Sequence, residues 1–549
     1  MMKQKRKAMF LIAFILLMAA VVLLSLKTGP ASQEEPAVYA GIFSLLPPLV
    51  AIVLALVTKE VYSALFIGIL VGAFLYANGN PEKAFVAMLY HEEAGLIPNL
   101  TDISHASVLV FVTILGAIVI ILNKSGSAQA FGDWALKRIK TRAGAQLATI
   151  LMGLMIFVDD GFNCMTVGSV MRPITDRHRI SRAKLAYLID ATAAPVCIIA
   201  PISCWAAAVT YSVPAEMNIN GFQMFLKTIP YNLYALGTLM MLVLLSVSRV
   251  EYGPMRRHEI NAMNGDLFSV EKGQQYEEKA EPAQKRPVRV SNLLIPVIGL
   301  IVICILGILY TGGFFSGVPL ATAFSEADSA RGLVFGSLIT LILTFFLYMS
   351  RNVLSFQGFM DCLPAGFRSM CAPMIILILS WNLSGVTGLL GAGEFIHNIV
   401  SASADEVKML LPFLVFLVSV FLAFSTGTSW GTFSILIPIV CHVFPQGGEM
   451  LTISIAACLA GAVCGDHCSP ISDTTIMSSA GAGCNHVAHV STQLPYALTV
   501  AGVAGIGYLA AGIFGYIGGK LALAALPVTL LLLTLLVLLL RKKYRLAEG

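Results

Sequence analysis

The sequence predicts an all-α polytopic membrane protein. Of its 549 residues, 57% are hydrophobic and only 12% are charged, whereas an average soluble domain carries about 25% charged residues. Mean hydropathy is +0.83, and apolar runs of about 20 residues, the length that crosses a bilayer core, recur along the chain. The net charge of +5 therefore bears on topology, and the sequence contains no nucleic-acid motif and no ATP-binding P-loop.

About 12 transmembrane helices are predicted from these runs, together with two stretches that do not fit a single span. The stretches 144–176 and 411–444 are each too long for one span and too short for two spans with a loop. The predicted spans are 9–26, 41–58, 61–77, 107–122, 184–213, 230–248, 291–311, 331–349, 370–390, 452–479, 496–518 and 521–540.

Basic residues on both sides of 144–176 predict that it is a re-entrant helical hairpin. Lysine and arginine favour the cytoplasmic side of a membrane, so both ends of this stretch are expected there. Its predicted tip is Asp159-Asp160-Gly161-Phe162-Asn163. The flanking basic residues are Lys137, Arg138, Lys140, Arg142, Arg177, Arg179, Arg182 and Lys184.

No basic cluster flanks 411–444, so this second hairpin is expected to enter from outside. Its predicted tip is Ser425-Thr426-Gly427-Thr428-Ser429-Trp430. In each half of the chain, a helix interrupted by proline follows, at 184–213 and at 452–479. Because the hairpins face opposite sides, the two halves are predicted to be inverted repeats with two broken helices, an arrangement that recurs in ion transporters.

Five units follow from this order of elements. They are an extra N-terminal transmembrane helix and linker at 1–36, a first inverted repeat at 37–248, a cytoplasmic linker at 249–290, a second inverted repeat at 291–518, and a C-terminal helix with a basic tail at 519–549. Basic residues near both termini predict that both lie in the cytoplasm. We expect a multi-pass protein of a bacterial-type inner (plasma) membrane, in contact with lipid and not with nucleic acid. A homodimer is left open.

The break in the second interrupted helix carries many oxygen ligands. Gly465 and Pro470 are expected to unwind the helix, which frees backbone carbonyls. Charged groups at such depth are rare without a function, and an oxygen-rich set suits a hard cation such as Na⁺. We predict Na⁺ at Asp466 and Asp473. His467 either caps a carbonyl or relays protons. The remaining candidate ligands are Ser469, Ser472, Thr474 and Thr475.

The first tip carries adjacent carboxylates, Asp159 and Asp160. Two neighbouring carboxylates cannot both ionise cheaply in a low dielectric, so we expect the pair to carry a proton. Asp190 is interpreted as either a relay or a snorkelling residue, and His486 and His489 are expected in a cytoplasmic turn. Further candidate substrate or ion ligands, which could equally cap the hairpins, are Asn163, Ser425, Thr426, Thr428 and Ser429 at the tips and, by repeat symmetry alone, Ser203.

Three stretches resemble the NhaC-type sodium/proton antiporter family. They are GDHCSPISDTTIMSS, the downstream His489 with Gln493-Leu494-Pro495-Tyr496, and the upstream FVDDGFN. The family's first tip more often reads DDYFN, so Gly161 in place of the aromatic residue leaves room for altered substrate selection.

The resemblance implies a secondary active transporter that is not an enzyme and needs no cofactor. It would exchange cytoplasmic Na⁺ for external H⁺ by alternating access. Because the family includes relatives that exchange malate and lactate, the alternative is a Na⁺- or H⁺-coupled exchanger of small carboxylates or amino acids. No lysine or arginine lies at either tip or either break, which favours a cation as the sole cargo. A membrane hydrolase would have to use the sequence neighbours His467, Cys468 and Ser469, and neighbours rarely form such a site.

Overall fold

Helices make up the regular structure of the described chain. The computed structural model describes residues 36–58, 60–126, 138–214, 217, 219–269, 289–325, 327–392, 394, 395, 398 and 405–546. The predicted span 9–26 and residues 270–288 of the predicted linker lie outside the described residues. Within the described ranges, the isolated antiparallel bridge between Val250 and Arg545 is the β-type contact that accompanies the helices.

The first half of the chain forms helices of very unequal length. Their bounds are α1 Leu46–Thr58, α2 Val61–Tyr76, α3 Pro81–Tyr90, α4 Leu96–Thr101, α5 Ile103–Lys124, α6 Arg142–Met155, α7 Asp160–Arg177, α8 Arg182–Asp190, α9 Ala194–Cys197, α10 Cys204–Thr210, α11 Gly221–Thr228, α12 Leu233–Ser248 and α13 Pro254–Met263.

The second half contains most of the long helices. Their bounds are α14 Ser291–Thr311, α15 Leu320–Ser325, α16 Ser329–Ser350, α17 Phe356–Met360, α18 Cys362–Leu389, α19 Asp405–Thr426, α20 Ser429–Val443, α21 Glu449–Cys468, α22 Asp473–Ala482, α23 His486–Gly518 and α24 Ala525–Tyr544. Short 3₁₀ helices lie at Ile42–Leu45, Ile229–Tyr231, Phe314–Ser316 and Gly519–Ala524.

Within the described residues, seven helices are long and apolar enough to cross a membrane. Two bent helix pairs raise the number of candidate spans to nine if each pair forms one span. The protein is therefore an integral membrane protein, and the total of twelve spans stays a prediction. Within the described residues, fewer spans than predicted consist of one long helix. The difference arises because several predicted spans are built from shorter helices. The predicted span 184–213, for example, is divided into α8, α9 and α10.

Both predicted hairpins are helix–break–helix pairs. In the first, α6 ends at Met155 and α7 begins at Asp160. In the second, α19 and α20 are separated by Gly427, which has a φ of +68°, and Thr428. The first arm of the second hairpin has 22 residues, or about 33 Å of helix at 1.5 Å per residue. This arm is longer than predicted, because the charged residues before 411 belong to the helix.

Helix α21 lies at the centre of the fold. The whole of its 18-residue apolar window is buried inside the protein. It packs closely against α19 through Gly461 and Gly465, since a Cβ atom on Gly461 would lie 2.5 Å from the Phe416 carbonyl oxygen. The second break, which follows α21, is therefore surrounded by protein on the side of the second hairpin.

The first hairpin packs against the other half of the second broken helix. Helices α7 and α22 cross at Gly168 and Gly481, where a Cβ atom on Gly168 would lie 2.5 Å from the Gly481 carbonyl carbon. Small residues allow such close approach of membrane helices. The two hairpins thus contact the two halves of one broken helix.

Gly168→Ala is expected to destabilise the protein, because the added methyl group meets rigid backbone in α22. Overpacking of this kind costs about 1–3 kcal/mol, and thermal unfolding in detergent would measure it. The control is Gly502→Ala, where an added Cβ would meet nothing within 4 Å. That helical change should be neutral or stabilising by about 0.5–1 kcal/mol. An unchanged melting temperature for Gly168→Ala would contradict the crossing of α7 and α22.

Candidate functional site

Asp466 joins the second hairpin to the second broken helix. Its side chain is 2% exposed, and its Oδ2 atom lies 2.8 Å from the hydroxyl of Ser429, the first residue of α20. Its Oδ1 atom has no hydrogen-bond partner within the described residues, although Ser472 is a close polar neighbour. One carboxylate oxygen is therefore held in place and the other is available to a cation.

Hydroxyl groups stabilise the non-helical backbone of the break around this carboxylate. Ser469 donates to the Phe424 carbonyl at 2.8 Å, and Ser472 caps α22 by accepting from the Thr475 amide at 3.4 Å. The hydroxyls of Ser472 and Thr474 are 2.9 Å apart. Each of these predicted ligands already has a structural partner, so a cation would share the hydroxyl oxygens with the backbone.

The first tip presents its two carboxylates at the start of α7. Asp159 caps this helix, because its Oδ1 atom accepts from the Phe162 amide at 2.7 Å. Asp160 accepts from the Gly161 amide at 3.0 Å. Both side chains are half-buried. The second oxygen of Asp159, Oδ2, lies 3.9 Å from Cys204 Sγ.

Asn163 fixes the first tip to the first broken helix. Its side-chain nitrogen lies 2.8 Å from the carbonyls of Gly153 and Ile156 and 2.9 Å from that of Thr192. Its Oδ1 atom is buried and has no partner in the described chain. The amide nitrogen thus closes the hairpin, while the carbonyl oxygen stays available as a ligand.

The tip and the second break share one region of the protein. Asp160 interacts electrostatically with Asp159, Asp466 and Asp473, and Asp159 interacts with Asp473. Asp473 is exposed, and its Oδ1 atom accepts from the Thr474 amide at 2.8 Å. We call these four residues the acidic cluster. They were predicted as two separate groups, and the fold brings them together.

Several other predicted ligands serve as local caps. Ser203 lies 2.9 Å from the Cys197 carbonyl and accepts from the Ala206 amide at 3.1 Å, so it fastens the first broken helix. Thr426 donates to the Leu422 carbonyl at 2.8 Å. Thr428 caps α20 by accepting from the Gly431 amide at 3.4 Å. Ser425, the remaining candidate at the second tip, is half-buried.

Sequence reasoning missed a buried pair beside the acidic cluster. Asp190 Oδ2 lies 3.2 Å from His489 Nε2 and 3.2 Å from the hydroxyl of Thr475. Asp190 is 2% exposed and His489 is fully buried. Snorkelling of Asp190 and a turn position for His489 are therefore wrong. The available signal was an acid inside an apolar stretch and His489 four residues before Gln493 on one helix.

His467 lies between this pair and the aromatic residues of the core. Its Nδ1 atom is 2.8 Å from the Tyr234 hydroxyl, so its side chain contacts a phenol instead of capping a backbone carbonyl. Of the two predicted roles, proton relay stays a prediction. Its Nε2 atom has no partner within the described residues. Its own carbonyl accepts from Gln493 at 2.7 Å.

Among the described residues, no group of three or more His, Cys, Asp or Glu side chains is arranged to hold a metal ion. A Na⁺ ion at Asp466 and Asp473 would therefore have to take its further ligands from hydroxyl and carbonyl oxygens. The break supplies both kinds of oxygen.

Known proteins resemble the chain over most of its length. An uncharacterized protein of Haemophilus influenzae is 34% identical over 509 residues, which cover 90% of this chain and 95% of the relative. The crystal structure of the Alcanivorax borkumensis YdaH transporter, reported to have an unusual topology, is similar with a TM-score of 0.53 at 14% identity. That similarity covers 87% of this chain and 99% of the YdaH chain.

A second solved structure is more distant. It is MtrF of Neisseria gonorrhoeae, described as illuminating a class of antimetabolite efflux pumps, with a TM-score of 0.42 at 14% identity over 76% of this chain and 84% of the MtrF chain.

The family comparison matches the part of the chain that contains the second break. The model of the Na⁺/H⁺ antiporter family matches residues 205–513, more than half of the 549 residues. This range includes Asp466 and Asp473 and ends beyond His489. The resemblance predicted from the sequence motifs is confirmed: the chain belongs to the Na⁺/H⁺ antiporter family.

Proposed function

We propose that this secondary transporter exchanges cytoplasmic Na⁺ for external H⁺ by alternating access. The observation that carries the proposal is the acidic cluster, in which Asp159 and Asp160 of the first tip face Asp473 of the second break and Asp160 also faces Asp466. The tip and the break are in contact, since Cys164 Sγ lies 3.7 Å from the Thr474 carbonyl. No lysine or arginine occurs in the tip or break sequences to neutralise them. Such a cluster needs either cations or protons to balance its charge.

The cation is expected to bind at Asp466 and Asp473. Ser429 holds one oxygen of Asp466 at 2.8 Å, so the carboxylate is already oriented before an ion arrives. Negative charge and oxygen ligands replace the hydration shell that Na⁺ loses in a buried site. The break supplies freed carbonyls in addition.

The proton is expected at Asp159 and Asp160. Because these carboxylates are adjacent, they share a proton when no cation is near, and a cation at Asp473 favours the release of that proton. One site then exchanges one ion for the other. Exchange of this kind gives antiport when the cluster is exposed alternately to the two sides of the membrane.

We propose that the chain has 12 spans and two re-entrant hairpins, with both termini in the cytoplasm. Support comes from contacts that gather basic segments on one side. Glu251 donates its amide to the Tyr544 carbonyl at 3.3 Å, and Ser181 donates its amide to Glu259 at 2.8 Å. Glu259 also forms an ion pair with Arg142. The ends of the first hairpin, the linker and the C-terminal tail therefore lie on one side, which the positive-inside rule assigns to the cytoplasm of a bacterial-type plasma membrane.

Cysteine labelling is expected to reach the two hairpins from opposite sides. Arg177 and Gln446 are exposed near the ends of the first and second hairpins. In a Cys371→Ser background, since the other ten cysteines are buried, Arg177→Cys should react with an impermeant maleimide from the cytoplasm and Gln446→Cys from outside. Reaction of both from the same side would contradict the inverted arrangement.

Exchange of a small carboxylate remains the second candidate, and one cleft favours it. The hydroxyls of Ser380 and Ser434 are buried without a hydrogen-bond partner in the described chain. They line a cleft of about 270 Å³, including its open mouth, together with Ser384, Thr387 and His442. Hydroxyl and imidazole groups can donate hydrogen bonds to a carboxylate.

Proteoliposome transport separates the two candidates. Radiolabelled Na⁺ uptake should be driven by an opposing pH gradient in the absence of any organic acid. A requirement for one member of a panel of malate, lactate and amino acids would support the second candidate instead. The absence of movement of both Na⁺ and every organic substrate in the panel, under every condition, would exclude both.

A further inference from the structure

We infer that the segment after α12 and the C-terminal tail together form a binding surface for the headgroup of an anionic phospholipid. This surface, which we call the basic patch, lies where the helices α12 and α24 end. The inference goes beyond the proposed exchange, because it does not depend on which solute is transported. The patch consists of the exposed residues Arg249, Arg257, Arg541, Lys542, Lys543 and Arg545.

Backbone contacts bring the two basic segments together, although they are far apart in the sequence. Val250 and Arg545 form the isolated antiparallel bridge. The amide of Leu546 donates to the Arg249 carbonyl at 3.0 Å. The tail is therefore fastened to the end of α12, and the basic side chains of both segments share one surface.

The basic patch lies at the level of the membrane surface, because α12 and α24 both belong to candidate spans. Exposed apolar side chains directly precede its basic residues. Val247 is 63% exposed two residues before Arg249, and Leu539 is 65% exposed two residues before Arg541. Exposed apolar surface on a spanning helix faces the acyl chains of the bilayer. Surfaces for acyl chains and for a headgroup thus adjoin at the ends of both helices.

Neighbouring carboxylates do not cancel the charge of the patch. In the segments 249–258 and 541–546, the charged side chains other than Glu251 are basic. Glu251 is 2% exposed and lies 3.0 Å from Lys184, so it is already paired inside the protein. An anion that approaches the patch therefore meets net positive charge.

Arg249 adopts a backbone conformation that is unfavourable for arginine. It follows the last residue of α12 with a φ of +57° and a ψ of +33°, and its amide donates to the Leu245 carbonyl at 3.0 Å. Glycine or asparagine is usual at this left-handed position, so the backbone does not explain an arginine here. The helix dipole favours a cation at this end of α12, but a guanidinium can also bind a phosphate through two parallel hydrogen bonds.

A phospholipid fits the patch better than a soluble phosphate. A soluble phosphate would gain from the positive charge alone, whereas a phospholipid also places its acyl chains on the apolar surface below it. Tyr544, a residue type that is typical of the membrane–water interface, lies among the basic residues of the tail. The Lys543 Nζ atom is 5.3 Å from the centroid of its ring. The occupant that we infer is therefore a lipid with an anionic headgroup.

A glutamine variant with Arg541→Gln, Lys542→Gln and Lys543→Gln tests the inference. Thermal unfolding of the full-length protein in neutral detergent should show that phosphatidylglycerol stabilises the unmodified protein more than phosphatidylcholine does, because a ligand of the folded state raises its stability. In the glutamine variant, the affinity for phosphatidylglycerol should fall by about tenfold or more. The matched control, with Arg541→Lys, Lys542→Arg and Lys543→Arg, keeps the charge and should keep the affinity.

Arg249→Asn tests the patch without changing the tail. Asparagine tolerates the left-handed conformation better than arginine does, so this variant should be at least as stable as the unmodified protein when no lipid is added. Its affinity for phosphatidylglycerol should nevertheless be lower. A role of Arg249 confined to the helix dipole would change the stability without lipid and leave the lipid affinity as it is.

An affinity for phosphatidylglycerol in the glutamine variant equal to that of the unmodified protein would overturn the inference. If that variant does not fold, an unchanged affinity in Arg249→Asn would overturn it instead. Equal stabilisation by inorganic phosphate and by phosphatidylglycerol would identify a site for soluble anions and would also contradict a lipid site. None of these measurements involves Na⁺ or H⁺ movement, so the proposed exchange is tested separately.

Discussion

Asp466→Asn is expected to abolish sodium-dependent proton movement while the protein still folds and inserts. The amide keeps the shape of the side chain and can still pair with Ser429, which lies 2.8 Å from the carboxylate. It removes the negative charge that compensates for the lost hydration of the ion. An uncompensated buried charge costs about 3–5 kcal/mol, so sodium affinity should fall by more than about 100-fold. Asp473→Asn should also weaken sodium binding, by a smaller factor, because Asp473 is exposed and solvent screens its charge.

Proteoliposomes with a pH-sensitive dye would measure this loss. The matched control is Asp361→Asn, since Asp361 is exposed and contacts Gln357 between α17 and α18, away from the acidic cluster. It should transport at the unmodified rate. Sodium dependence like that of the unmodified protein in both Asp466→Asn and Asp473→Asn would remove this pair from the mechanism.

The breaks between helices could be predicted where polar residues interrupt an apolar stretch. The break of the first hairpin ends at Asp159, and the break of the second hairpin contains Gly427. Both tip sequences predict these positions. The division of 184–213 into three short helices was not predicted, because its first break, at 191–193, contains only alanine and threonine. Such a break is stabilised by tertiary contacts, among them the bond from Asn163 to the Thr192 carbonyl at 2.9 Å.

Residue types at the site could be read from the sequence, but their pairing could not. Asp466 and Ser429 are both candidate ligands by composition, yet their contact joins positions 37 residues apart. For His489, the sequence did not predict the burial of the side chain. A histidine next to a chain turn suggests a solvent-exposed position, and it is the packing of α23 against α8 that buries it beside Asp190.

Proton and sodium are expected to compete at the acidic cluster, with Asp159 or Asp160 carrying the proton. The two carboxylates are adjacent at the start of α7 and interact with Asp473 of the break. Below the pH at which the pair takes up its proton, apparent sodium affinity should weaken about tenfold per pH unit. Above that pH the affinity should level off, because no proton remains to be displaced.

Asp159→Asn or Asp160→Asn should flatten this dependence, since one carboxylate beside an amide no longer shares a proton with a second carboxylate. Calorimetry or scintillation proximity measurements from about pH 5.5 to 9 would record both slopes. Unchanged slopes in both aspartate variants would show that the proton does not bind at the first tip. Antiport by competition at the acidic cluster would then be untenable.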